Sequence, residues 1–143
     1  MAGQIADGAL TWVCPVPYLL HTGIPALRTS AATVGRSPPP LVAHVLVAIT
    51  EDRHAVLAAG HQMLDFYANM FSNAGFSLTS DQTVPDALVD SLVISGNESI
   101  VADRLTELLT AGLGEVMVSL VPITGADDDD DEQTRLMQLI GRL

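Results

Sequence analysis

Apolar segments alternate with amphipathic segments along the chain. Residues 9–14, 41–50 and 116–121 are apolar or rich in β-prone residues on both faces, and each segment is short. Strands of this kind are typical of parallel sheets that carry helices on both sides. The pattern therefore predicts an α/β fold with about three parallel strands and covering helices.

Helices are predicted between these strands, because apolar residues recur there every three or four positions. Pro25 predicts a kink or a late start in the first helix, since proline lacks the N–H that a helix interior needs. Thr50 and Asn97 are expected to cap two of the helices. The predicted helices cover residues 18–34, 51–74, 98–111 and 132–143, and a short helical turn is expected from Pro85.

The clearest buried face belongs to the helix over residues 98–111. Val101, Leu105, Leu108 and Leu109 lie at the spacing of one helical stripe. Gly112 is expected to end this helix before the strand at 116–121.

We expect residues 1–143 to form a single domain, because this length is ordinary for one domain and no short repeat is visible. Residues 125–131 are predicted to be a solvated acidic loop. The five aspartates from Asp127 to Asp131 are consecutive, whereas a calcium loop needs alternating ligands and a central glycine.

The net charge of −11 argues against two classes of partner. The six basic residues are all arginine and are scattered, so no basic patch exists for nucleic acid or for an anionic membrane surface. The longest apolar runs are about nine residues, whereas a bilayer-spanning helix needs roughly 20. Residues 1–13 contain Asp7 and no basic residue, so we expect no signal peptide and a cytoplasmic location.

Few residues point to chemistry by spacing alone. Cys14 is the single cysteine, and a buried inert thiol is favoured over a reactive one because no readable base accompanies it. No metal site is predicted, since the four histidines form no recognised ligand pattern. His44 lies within an apolar strand, which favours a core or barrel-interior histidine over a catalytic one.

Three segments carry a family resemblance. "ADGALTW" at 6–12, "AITED" at 48–52 and "SGNESIVADRLTELLTAGLGEVMVSLVPI" at 95–123 together resemble the luciferase-like monooxygenase family. The likeness is greater to the deazaflavin-dependent oxidoreductases of that family, which occur mostly in actinobacteria. The last segment shows that group's helix pattern and its following strand, which ends here at Pro122.

The resemblance implies a (β/α)8 barrel, of which this chain is similar only to the C-terminal third to half. About three strands cannot close a barrel, and the open edges of the sheet would recruit other strands. The resemblance therefore implies a homo-oligomer, or a partner chain that supplies the missing strands.

The resemblance also implies a deazaflavin coenzyme or FMN, bound where the strands end. The strand ends of this chain offer Trp12, Cys14 and Thr124 as candidate cofactor contacts, and no catalytic residue is identified. Trp12 is open to two interpretations, stacking on a ring system or ordinary core packing, of which core packing is the commoner role. Relatives carry a glycine just after the Trp-bearing strand, and this chain lacks it.

Two functions remain open at this point. The first is the C-terminal portion of a flavin- or deazaflavin-dependent oxidoreductase, which transfers a hydride to a small organic substrate once other strands complete it. The second is a non-catalytic remnant or a self-association module.

Overall fold

The computed structural model describes residues 1–111, 115–123 and 129–143, and for Asp129 and Asp130 it describes the backbone alone. Four parallel strands and eight α-helices occur among these residues. The strands are β1 (Ala9–Leu10), β2 (Leu41–Ala48), β3 (Val93–Ser95) and β4 (Glu115–Leu120). The α-helices are α1 (Ala2–Ile5), α2 (Val16–Tyr18), α3 (Ile24–Ala32), α4 (Arg53–Leu64), α5 (Ala68–Asn73), α6 (Asp86–Leu92), α7 (Glu98–Thr110) and α8 (Asp129–Ile140).

The sheet is built around β2, which pairs in parallel with the other three strands. The carbonyls of Val42 and Ala48 accept hydrogen bonds from the β1 and β3 segments, whereas the Val47 carbonyl accepts one from the β4 segment. Successive residues of a strand direct their backbone groups to opposite edges. β1 and β3 therefore share one edge of β2, at its start and its end, and β4 occupies the other edge.

Helices cover the sheet unequally on its two faces. On one face, Leu41, Ala43, Val45, Val47 and Ile49 pack in a single cluster with residues of α3, α7 and α8. On the other face, Leu46 and Ala48 pack against α4, α5 and α6. The helices on this second face lie over the carboxyl end of β2. Among the described residues, they leave the amino-terminal part of the strand, around Val42 and His44, without a helix packed on it. The α/β prediction is confirmed, and the sheet is not closed.

The first predicted strand is much shorter than expected. β1 ends at Leu10, and the chain bends at Trp12 and Val13 instead of continuing to Cys14. Val13 has a φ of 45°, a left-handed conformation that is rare for a β-branched residue. The extended pairing therefore stops here, although every residue has a high strand propensity.

Pro25 lies where the first helix changes type, and the helical stretch begins at Val16, before the predicted residue 18. A π-helical segment, Leu19–Gly23, joins α2 to α3, and Ile24 donates its N–H to the Leu19 carbonyl five residues earlier. Pro25 then stands in the first turn of α3, where a missing N–H costs nothing. The prolines of this region are thus accommodated by a change of helix type.

The predicted helix over residues 51–74 is divided in two. A 3₁₀ turn, Asp65–Tyr67, separates α4 from α5, and the Asp65 carboxylate accepts the Val84 N–H at 2.9 Å. The cap is also different from the prediction. The side chain of Asp52, rather than Thr50, accepts the N–H groups of His54 and Ala55.

The C-terminal half follows the predicted order with one addition. Asn97 caps α7 as expected, through a hydrogen bond from the Ile100 N–H at 3.1 Å. Within α7 the expected residues are buried, except that Leu109 is 43% exposed. The additional element is β3, a strand of three residues in the region where no strand was predicted.

Part of the predicted acidic loop is helical. α8 begins at Asp129, three residues before the predicted start, so Asp129–Asp131 belong to a helix instead. Acidic residues are favourable in a first helical turn because they face the positive end of the helix dipole. Residues 125–128 of that loop lie outside the described part of the chain. No helix among the described residues is long and apolar enough to cross a bilayer.

Gly60 is the contact point between α4 and α6. A Cβ atom at this position would overlap the side chain of Val89. We expect Gly60→Ala to lower the free energy of unfolding by about 1–3 kcal/mol through overpacking, although Gly→Ala inside a helix normally stabilises. Gly23→Ala is the matched control, because a Cβ there meets only ordinary contacts. Urea unfolding checks the difference, and equal stabilities would contradict the α4–α6 packing.

Candidate functional site

The part of the sheet left uncovered by helices holds a cluster of polar and aromatic side chains. His44 points to the same face as Leu46 and Ala48, since side chains alternate along a strand. Only 4% of His44 is exposed, and it is the one polar residue in the buried core of the described residues. The residues around it come from β4, from the bend after β1 and from the turn before α5.

Both ring nitrogens of His44 are engaged. The backbone N–H of Val13 donates to Nδ1 at 3.3 Å, and Nε2 lies 2.9 Å from the hydroxyl oxygen of Ser119. Because Nδ1 acts as an acceptor, the neutral ring carries its proton on Nε2 and donates it to Ser119. His44 thus joins the bend after β1 to β4 across the width of β2.

Burial fixes the charge state of this histidine. Loss of solvent lowers the pKa of His44 below its ordinary value of 6.5, because burial penalises the charged form. Among the described side chains, no carboxylate is hydrogen-bonded to either ring nitrogen. His44 is therefore a neutral hydrogen-bonding bridge at pH 7.

Trp12 lies flat on the ring of His44. The ring centroids are 4.2 Å apart and the planes differ by 10°, while the indole N–H donates to the Tyr67 hydroxyl at 3.3 Å. Trp12 is nevertheless 51% exposed, so one indole face is covered by His44 and the opposite face is open to solvent. We call Trp12, His44, Ser119 and Tyr67 the Trp12 platform.

The left-handed bend at Val13 makes this platform possible. A non-glycine residue in that conformation costs of order 1–3 kcal/mol. The hydrogen bond from Val13 to His44 and the burial of the Val13 side chain hold the conformation in place. The bend directs the Val13 N–H at His44, and Trp12 stacks on the same histidine ring.

Protonation of His44 is expected to destabilise the fold. Its pKa is lower in the folded chain than in the unfolded chain, so only the unfolded chain takes up a proton as the pH falls below about 6.5. Stability should therefore decrease between pH 7.5 and 5.5. Urea unfolding at both pH values should show a larger decrease for the wild type than for His44→Phe, with His54→Phe on the exposed face of α4 as the control. An equal decrease in all three would contradict this placement of His44.

The structure describes two of the three residues predicted from the sequence, and these two are not brought together. Trp12 belongs to the platform, and the expectation of core packing for it is wrong. Cys14 is half-buried and packs on the other face of the sheet, against the cluster that contains Val45. Burial raises the pKa of the Cys14 thiol, which agrees with the predicted inert thiol. Thr124 lies outside the described residues.

A metal site is not evident in the described residues, where no group of three or more ligating side chains converges. His61 lies between two carboxylates, with Nε2 at 2.9 Å from Asp86 and Nδ1 at 3.8 Å from Asp65. All three side chains are partly exposed, so this cluster is a surface polar contact that ties α4 to α6.

Two members of the platform were missed by the sequence reasoning. Ser119 is the single hydroxyl in the apolar run at 116–121, and that isolated polar residue is the signal that was available. Tyr67 appeared as part of a helical stripe, and nothing in the sequence indicated that its hydroxyl would meet an indole fifty-five residues away.

Comparisons with known proteins give structural neighbours but no sequence relatives. No protein-family model matches the chain, and no curated protein matches it. The fold is similar to an F420-dependent secondary alcohol dehydrogenase, solved in complex with an F420–acetone adduct, with a TM-score of 0.67 and 13% identity. It is also similar to the coenzyme F420-dependent tetrahydromethanopterin reductase of Methanopyrus kandleri, with a TM-score of 0.61 and 21% identity.

These similarities cover unequal shares of the chains compared. They include 97% and 94% of this chain, but only 44% and 45% of the two enzymes. The chain thus spans less than half the length of these two F420-dependent enzymes, and its open sheet matches part of their TIM barrel. At sequence identities of 13% and 21%, the similarity shows the fold alone.

Proposed function

We propose that this chain forms the C-terminal portion of a deazaflavin-dependent oxidoreductase, which transfers a hydride to a small organic substrate when other strands complete the barrel. The observation that carries the proposal is the fold. Nearly the whole chain superposes on less than half of two F420-dependent enzymes, and its sheet is not closed. In this proposal, strands beyond those described here complete the barrel.

The Trp12 platform supplies the contact for the cofactor ring. The open face of the indole is flat and its orientation is fixed on the other side by His44 and at the N–H by Tyr67. A deazaflavin ring system is planar, so it fits such a face by stacking. The bound deazaflavin supplies the hydride chemistry, and this chain's residues supply orientation and the exclusion of water from one side.

The remaining parts of a cofactor pocket are absent from the described residues. A ligand of this size normally has 70–90% of its surface buried. The platform covers one face of a ring, and Cys14 lies on the opposite side of the sheet. The net charge of −11 further disfavours an anionic cofactor at low salt.

The isolated chain is therefore expected to bind F420 weakly, with a dissociation constant no better than roughly 100 µM, or about −5.5 kcal/mol. Trp12 is the only tryptophan, so its indole N–H gives a single NMR signal that reports binding at the platform. Titrations with F420 and with FMN should move this signal in the wild type. Phe66→Leu, which removes an 87% exposed aromatic ring beside Tyr67, is a control that should leave binding unchanged. An unchanged Trp12 signal at millimolar F420 would contradict the proposed cofactor site.

Self-association without catalysis is the second candidate, and the open sheet is the observation that favours it. β4 pairs with β2 on one edge only, and β1 leaves Leu10 61% exposed. Such edges pair readily with strands of another copy. A hydride-transfer assay separates the two candidates, because a self-association module oxidises no reduced F420 in any assembly state.

A further inference from the structure

A second concave site lies away from the Trp12 platform. It is a cleft of about 450 Å³ between α2 with its π-helical extension, β3 and α7, and we call it the β3 cleft. Sites that bind small ligands commonly have volumes of about 300–1,000 Å³. The proposed cofactor contact does not involve this cleft.

The floor of the β3 cleft carries free backbone groups. Gly96 donates its N–H to the Ala48 carbonyl at 3.4 Å, so Gly96 and Ile94 face β2. The Val93 carbonyl and the Ser95 N–H therefore point away from β2. Both residues line the cleft. Neither group has a hydrogen-bond partner within the described ranges of the chain.

This pair of backbone groups can form two hydrogen bonds with a single residue of an extended peptide. In a parallel ladder, a single residue donates its N–H to one strand residue and accepts an N–H from the residue two positions later. The carbonyl of Val93 and the N–H of Ser95 have that spacing. Addition of a peptide to a free strand edge is a recurring mode of recognition, in which side-chain pockets beside the edge provide specificity.

The walls of the cleft suit an apolar side chain flanked by charges. Val16 and Leu20 line one wall and Leu108 the other. Asp90 lies on α6 just before β3, and Glu107 lies one residue before Leu108 on α7, so acidic groups flank the start of β3. α7 runs antiparallel to β3. Arg104 stands three residues before Glu107, so it lies about 4.5 Å nearer than Glu107 to the end of β3, measured along the helix.

These charges are available to a ligand. Arg104 and Glu107 form a pair at 3.1 Å, but both side chains are well exposed, so the pair contributes little and exchanges partners easily. Asp90 contacts Arg53 at 2.8 Å and keeps 43% of its side chain exposed. An ammonium group at the acidic end and a carboxylate at Arg104 would complement the cleft.

We propose that the β3 cleft binds a short peptide with free termini, extended and parallel to β3. The peptide's amino end lies towards Asp90 and Glu107, its carboxylate lies towards Arg104, and a central apolar side chain packs between Leu20 and Leu108. The central residue forms both backbone hydrogen bonds with the edge of β3. Closure of the sheet by other strands would occupy the same edge of β3, so this binding belongs to the chain without those strands.

NMR titration of the full chain with the tripeptide Ala-Leu-Ala tests the proposal. The backbone N–H signal of Ser95 should shift, with a saturable dependence on peptide concentration. Methylation of the leucine nitrogen removes the donor to Val93, and it should weaken binding about two- to tenfold, the value of one hydrogen bond. Arg104→Ala should weaken binding of the free peptide but not of its C-terminal amide.

Matched controls distinguish this binding from general charge effects. Arg142→Ala removes an arginine that does not line the cleft and should leave the affinity unchanged. A Ser95 signal that does not move, equal binding of the N-methylated peptide, or equal effects of the two arginine changes would each overturn the proposal.

Discussion

Leu105→Ala is expected to lower the free energy of unfolding by about 2–5 kcal/mol. Leu105 is 1% exposed and lies in the cluster where α7 covers the odd-numbered residues of β2. Removal of its side chain leaves a cavity between helix and sheet that the surrounding strands cannot close. Such a loss is a large part of the 5–15 kcal/mol that stabilises a typical domain.

Urea unfolding of Leu105→Ala and Leu109→Ala measures this effect against a matched control. Both substitutions remove the same atoms from the same helix. Leu109 is 43% exposed, so Leu109→Ala should lower the free energy of unfolding much less. Leu108→Ala, which is 4% exposed in the wild type, should behave like Leu105→Ala. A loss below about 0.5 kcal/mol at Leu105 would mean that the wrong face of α7 has been assigned to the core.

The second large effect concerns association. At micromolar concentration the chain should sediment as a dimer or a larger species, because the uncovered sheet face and the free edge of β4 expose groups that a closed barrel would pair. Met117 pairs with His44 in the sheet and so shares the uncovered face. Met117→Lys should therefore shift the chain towards the monomer, since association would bury a charge.

Met137→Lys provides the control for that experiment. Met137 is 65% exposed on α8, on the other side of the sheet. Sedimentation velocity of the wild type and both variants at equal concentration compares the two surfaces. A compact wild-type monomer with cooperative unfolding would contradict the expected association, and a stronger effect of Met137→Lys would place the interface on α8.

Most of the fold was predictable because the patterns that define it are local. The apolar run at 41–50 and the capped helix after Asn97 need only periodicity and capping chemistry, and both occur where they were predicted. β3 was missed because three residues are too few to show a period. Its strand conformation comes from pairing with Leu46–Ala48, which is a tertiary contact.

The candidate site was less predictable because its geometry depends on long-range contacts. Residues 9–14 look like an unbroken strand, yet the chain bends at Val13. The Val13 N–H is hydrogen-bonded to His44, and Trp12 stacks on the same histidine ring. The two partners are thirty-one residues apart, so no local pattern reports them. The apolar pattern around His44 did predict an interior histidine, since His44 stands alone in an apolar strand.

The central claim is that this chain supplies one side of a deazaflavin site and needs other strands for the rest. The most direct test is equilibrium dialysis of F420 against the chain alone and against its stoichiometric complex with the polypeptide, or second copy, that closes the sheet. We expect the complex to bind F420 at least about tenfold more tightly than the chain alone, because closure buries the second face of the ring. Equal affinities in the two samples, or submicromolar binding by the monomeric chain, would contradict the claim.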